Sequence, residues 1–242
     1  MNKYKNFENI PLFNADESLI KNAYFAAEKN YTKNEILKIL SEENEEIKPP
    51  AIFNTISIDN EKELNLFLSH LTNRDGRIRE SISYILNELS PCSLFSKKEQ
   101  FLILVDAICD INPNVSRNII SLIKKNDEIK EKISPFIIER TNKTLSELSL
   151  YLRSHFKENA EKSAKNHAKN KLTFNLYWLL EGIVASDSCD LSNEIIVKTG
   201  IFLDYTIREK TAEILSKMKN PPSDLLIKLK NDENIYVKNQ LL

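Results

Sequence analysis

Residues 64–89 read LNLFLSHLTNRDGRIRESISYILNEL, and this stretch decides the fold. Leu64, Phe67, Leu68 and Leu71 fall at the three- and four-residue steps of an amphipathic helix. The polar run Asn73-Arg74-Asp75-Gly76 interrupts them, and behind Arg79 a second stripe begins with Ile82, Ile85, Leu86 and Leu89. The pattern predicts two helices joined by a short turn. Such a hairpin cannot cover both of its apolar faces, so it needs neighbours of the same kind.

Working outward, those neighbours are legible. Phe101, Leu102, Leu104, Val105 and Ile108 are followed by the turn Asn112-Pro113-Asn114, then Val115, Arg117, Ile119, Ile120 and Ile123. Near the end, Ile195, Ile196, Thr199, Phe202 and Leu203 precede Asp204, Ile207 and Arg208, with Ala212, Leu215 and Met218 as the second stripe. A shorter copy runs through Leu225, Leu226, Leu229, Asn231-Asp232, Val237, Lys238 and Leu241. The interval between Arg117 and Arg208 is long enough for two or so degenerate units. Within it, Ile133 to Thr141, Leu145 to Phe156 and Leu172 to Ala185 each read as a helix, and the Lys-rich stretch between them suggests a longer helix or an elongated connection.

This recurring turn acid, apolar residue, Arg or Lys and second apolar helix resembles the HEAT repeat, and residues 59–242 resemble a short HEAT or armadillo-like α-solenoid. Asp75, Ile78 and Arg79 match the pattern, as do Asp204, Ile207 and Arg208; Asp232, Val237 and Lys238 match less tightly. At Asn114, Val115 and Arg117 the acid has become Asn and the spacing has slipped. The resemblance implies an all-α, right-handed α-α superhelix. It also implies a structural ladder between turn acids and basic residues of adjacent repeats, carried here by Asp75, Arg79, Arg117, Asp204 and Arg208.

Ahead of this region, residues 1–50 read as an N-terminal helical pair. Asn14 with Glu17, and Thr32 with Glu35, have capping-box spacing, in which a short polar side chain takes a first-turn amide while the acid reaches back. The first helix carries Leu19, Ile20, Ala23, Tyr24 and Ala27, the second Ile36, Leu37, Leu40 and Ile47. The acidic run Glu42 to Glu46 and then Pro49-Pro50 are expected to end the pair, because proline disfavours helical geometry in the residue before it. Residues 51–58 then read as an extended linker.

Composition sets limits on function. A chain of 242 residues is one domain or a domain with a short appendage, and 41% hydrophobic against 29% charged residues puts it among folded proteins. Its three glycines, Gly76, Gly182 and Gly200, stand alone, which excludes glycine-rich phosphate cradles. Thirty-four basic against thirty-five acidic residues leave a net charge of -1, so no global field steers the protein to nucleic acid or acidic lipid. Cys92, Cys109 and Cys189 are far apart and read as reduced, buried hydrophobes; no C-x-x-C or H-x-x-x-H suggests a metal. Met1 to Phe13 lacks the apolar centre of a secretory signal, and the run Phe101 to Cys109 is under half a membrane span. A cytoplasmic protein with no membrane association and no cofactor is expected.

Candidate chemistry is sparse. His70 lies late in a helix and reads as a capping or solvated residue, and G-x-S-x-G is absent. His155 and Glu158 would share a helix face but have no further ligand nearby and read as a surface pair. Trp178 sits in a helix apolar nearly all round and reads as core, with Gly182 as a close helix contact. Lys162, Lys165 and Lys169 recur at helical spacing in a locally basic stretch. They read as a solvated face, or else as a binding stripe able to neutralise two or three phosphates.

The expected function is a non-enzymatic protein-interaction scaffold, holding a protein partner on the concave face of the solenoid. The alternative is a nucleic-acid binder or a DNA glycosylase-like enzyme, since bacterial alkylpurine DNA glycosylases are similar short HEAT-like solenoids. A bilin lyase-like reading shares the repeats but has no motif here. The short last copy predicts uncovered apolar surface at the C-terminal end, suited to self-association or to a further domain.

Overall fold

The computed structural model describes residues 29–42, 45–153 and 159–242. These residues form twelve α-helices and no strand, so the fold is all-α. Contacts divide the chain into two units at Ser57 and Ile58. The first predicted helix, with Asn14 and Glu17, lies outside the described residues.

In the first unit, α1 (Lys33–Ser41) opens on the predicted capping box. Thr32 Oγ1 accepts from the Glu35 amide at 3.4 Å, and Glu35 Oε2 accepts from the Thr32 amide at 2.9 Å. Lys29 and these Thr32 bonds hold the Glu35 carboxyl down at about 2. The buried face is Ile36, Ile39 and Leu40, with Ile39 in the place expected of Leu37. Pro49 and Pro50 do not end this pair; they lie in the first turn of α2 (Lys48–Phe53). A first-turn residue needs no amide hydrogen, so proline is tolerated there. Residues 51–53 are therefore helical, and within 51–58 only Thr55 to Ile58 lie outside any helix or turn.

The second unit begins with α3 (Glu61–Ser69) and α4 (Gly76–Leu89), and continues with α5 (Lys98–Ile108) and α6 (Pro113–Lys124). After these come α7 (Asp127–Arg153), α8 (Asn159–Ala185), α9 (Asn193–Thr199), α10 (Tyr205–Lys217), α11 (Ser223–Lys230) and α12 (Ile235–Asn239). Four of the second helices start the same way. Asp75, Asn112, Asp204 and Asn234 are N-caps whose side-chain oxygens accept from the amides of Arg77, Asn114, Thr206 and Tyr236 at 2.8–3.0 Å. Each of the helices α4, α6, α8 and α10 packs on the next member of the row that ends with α12; α3, α5 and α7 form a parallel row. The core between them holds Ile78, Ile82, Leu104, Ile108, Ile119, Ile183, Ile207 and Leu215.

One long hairpin, α7 and α8, replaces the two or so degenerate units expected between Arg117 and Arg208. Its helices have 27 residues each, which at 1.5 Å per residue is about 40 Å. The stripe of α7 passes through Ile129, Ile133, Ile137, Thr141, Leu145 and Leu148. Thr141 and its buried neighbour Thr144 return their hydroxyls to the carbonyls of Ile137 and Arg140 at 2.7 and 2.9 Å. That local bond satisfies a buried hydroxyl and lets a polar residue sit in an apolar seam. Gly182 faces this seam, where an added Cβ would lie 3.4 Å from Ile137. Gly200 is tighter: a Cβ there would lie 2.5 Å from Leu225 Cδ1.

Candidate functional site

Basic residues after the turns carry a recurring clasp. Arg79 donates through Nε and Nη2 to Asp110 at 2.6 and 2.9 Å and through Nη1 to the Asn73 carbonyl at 2.8 Å. Arg208 does the same, with Nε and Nη2 on Asp232 at 2.7 and 3.0 Å and Nη1 on the Phe202 carbonyl at 2.8 Å. In each case one guanidinium ties the end of its own hairpin's first helix to the turn of the following hairpin. The hydrogen bonds to Asp232 raise the Arg208 pKa and hold the Asp232 carboxyl below its ordinary range.

The expected acids are corrected by this geometry. Asp75 and Asp204 do not reach a neighbouring hairpin's arginine; each is spent as an N-cap on its own helix. The partners stand two residues ahead of the next N-cap, at Asp110 and Asp232, where a carboxylate has room for both the arginine and a local amide. Arg117 also leaves the ladder. The position matching Arg79 and Arg208 is Ser116, and Arg117 instead donates to Asn114 at 3.1 Å.

A second polar network runs across the second helices. Glu181 on α8 receives Lys124 of α6 at 3.0 Å and Lys210 of α10 at 2.5 Å. Lys210 also meets Glu213 at 2.9 Å, and Glu213 meets Lys217 at 3.3 Å. The Lys210 ammonium lies 5.5 Å from the Tyr177 ring centroid, an attractive cation–π position. Burial alone would raise the Glu181 pKa and lower that of Lys210, but the opposite charges win on both, so both stay ionised.

Beside this network, an open groove of about 1070 Å³ lies between the long hairpin and the end of α9 with the start of α10. Leu145 of α7 and Phe174 of α8 form one wall; Ile201 and Leu203 of the α9–α10 turn form the other, exposed by 63% and 87%. Lys169 and Lys198 bring positive charge to it, and Asp204 and Glu209 negative charge. Sequence reading missed the groove, because its walls come from three segments of the chain, each about twenty-five to thirty residues from the next; the signal available was the pair of apolar residues flanking Phe202.

Of the basic stripe, Lys162 is exposed, Lys165 is half-buried, and Lys169 enters the groove. Trp178 is buried, edge-on to Phe174 and Tyr177 at 6.2 and 5.4 Å. His70 caps the end of α3, while His155 and Glu158 lie outside the described residues. Burial pushes the Cys109 and Cys189 thiols up to about 11, which keeps both protonated and unreactive. No group of three or more His, Cys, Asp or Glu among the described residues could hold a metal ion, and no helix among them is long and apolar enough to cross a membrane. Compared with known proteins, the chain matches no family model and no curated protein.

Proposed function

We propose that residues 59–242 form a short, right-handed HEAT-like α-solenoid that works as a non-enzymatic adaptor, holding a protein partner on the side lined by the second helices. The two rows of helices, the four Asx caps and the repeated Arg–Asp clasp support the solenoid reading. Stacked hairpins of this kind turn their second helices toward a concave side. The observation that carries the function is the charge on that side. From Lys124 through Glu181, Lys210 and Glu213 to Lys217 the sign alternates. A phosphate backbone needs an unbroken positive track. A protein surface, with both signs and apolar patches, fits an alternating one.

The test places a photo-crosslinking residue at Tyr84 or Lys217 on the second helices, and at Leu102 on α5 as a control, in the native cell. The expected result is a discrete protein adduct from the first two positions and none from Leu102. Equal adducts from all three, or saturable binding of duplex DNA or RNA by the purified chain at low salt with a steep salt dependence, would overturn the adaptor reading.

A further inference from the structure

The basic stripe and the groove are one surface. Lys162, Lys165, Lys169, Thr173 and Tyr177 follow one another along α8 at three- and four-residue steps, so they share a helix face. The last three of them line the groove, and Lys162 and Lys165 lead into it from the outer end of the hairpin. Lys169 is half-buried there, and its ammonium has no hydrogen bond or ion pair among the described residues. Beyond it stand the apolar side chains of Phe174, Ile201 and Leu203.

We infer that this surface docks an acidic segment of a protein partner, one that lays carboxylates along Lys162 to Lys169 and seats two or three apolar anchors between Phe174 and the Ile201–Leu203 turn. The inference rests on the adaptor reading and names the chemistry of the partner. Two features choose a peptide over other occupants. Ile201 and Leu203 stand too far into solvent to enclose a small molecule, whose sites bury most of the ligand, and exposed apolar side chains of this kind mark surfaces that a partner covers. Nucleic acid following the lysines would run its phosphates against Asp204 and Glu209 on the far wall, whereas a peptide changes from acidic to apolar within a few residues. The positive stripe steers the approach and the apolar anchors hold the complex.

The experiment is selection of a random 16-residue display library against the full chain, followed by anisotropy titration of the selected peptides. Leu203→Glu and Lys169→Glu probe the two halves of the surface, with Ile201→Glu as the second apolar variant should Leu203→Glu lower the thermal midpoint. Selected peptides are expected to be enriched in Asp or Glu beside Leu, Ile or Phe. Their affinity should fall about tenfold or more in Leu203→Glu and about threefold in Lys169→Glu, and weaken with added salt. Basic or neutral peptides that still lose binding in Leu203→Glu would overturn the acidic assignment and leave the adaptor reading standing. Peptides indifferent to all three substitutions would overturn this docking surface. Nucleic acid that binds through Lys162–Lys169 and is untouched by Leu203→Glu would overturn both readings.

Discussion

Arg79 and Arg208 solve the same problem with the same atoms. A helix that ends in a turn leaves carbonyls without amide partners, and the next hairpin's turn brings a carboxylate close by; one planar guanidinium satisfies both. Lysine cannot, because its ammonium is a point charge without the fork. Arg208→Lys should therefore destabilise the protein by about 2 kcal/mol, the scale of a lost hydrogen bond to a charged group. Arg79→Lys should cost about as much, and because the two clasps share no partner the double variant should show the sum. Urea unfolding of the three variants checks this: single variants as stable as wild type would show the clasps to be idle, and a double variant no worse than either single one would show them to be coupled. Arginines after the turns were legible in the sequence. Their pairing was not, because Asp75 and Asp204 stood nearer in the chain: Asp232 is legible as a turn acid but not as the partner of Arg208, and Asp110, two places before an Asx cap, is read as an acid partner only once the neighbouring hairpin is in place.

Among the elements, the α3–α6 and α9–α12 hairpins follow the apolar stripes closely, and α7–α8 does not. Pro135 and the buried Thr141 and Thr144 interrupt the apolar stripe of α7, yet the chain accepts all three. Proline has its side chain at the surface, and the threonines bond back to their own helix. The lysine-rich stretch leaves two readings open, a longer helix or an elongated connection, because no large apolar side chain marks a face from Lys162 to Lys171; it is the longer helix, continuous with the buried part from Asn175 onward. One helix thus contains two kinds of stabilisation. From Leu176 to Ala185 it is held by Ile108, Ile137 and their neighbours, while from Lys162 to Lys171 its backbone bonds face water on most sides. Amide exchange in the outer stretch should be faster than in the inner one by about two orders of magnitude, because local opening there costs far less than global unfolding. Peptide-resolved exchange mass spectrometry measures the ratio. Equal protection along α8 would mean that the outer stretch is covered in solution.

At the scale of the whole second unit, the clasps tie neighbouring hairpins pairwise, and the Lys124–Glu181–Lys210 bridge spans the three second helices α6, α8 and α10, which the clasps do not join. Its acid response follows from the sign of the shift. Glu181 would titrate high from burial alone, but Lys210 and Lys124 bring it below the ordinary carboxyl value; the Arg208 bonds do the same for Asp232. A carboxyl whose folded pKa lies below its unfolded value of about 4 contributes fully above that value and loses its contribution as pH falls through the folded pKa. Lys210, raised, contributes below its unfolded value of about 10.4 and loses this as pH climbs past it. The urea midpoint should therefore be flat from about pH 6 to 9 and fall below about pH 4. Glu181→Gln should lower the unfolding free energy on that plateau by about 2 kcal/mol, since it leaves Lys210 facing Glu213 alone. The gap between wild type and variant should then close in acid, where protonated Glu181 resembles glutamine. A gap that stays constant down to pH 3 would mean that Glu181 acts through packing, and that the charge bridge adds nothing to the joining of α6, α8 and α10.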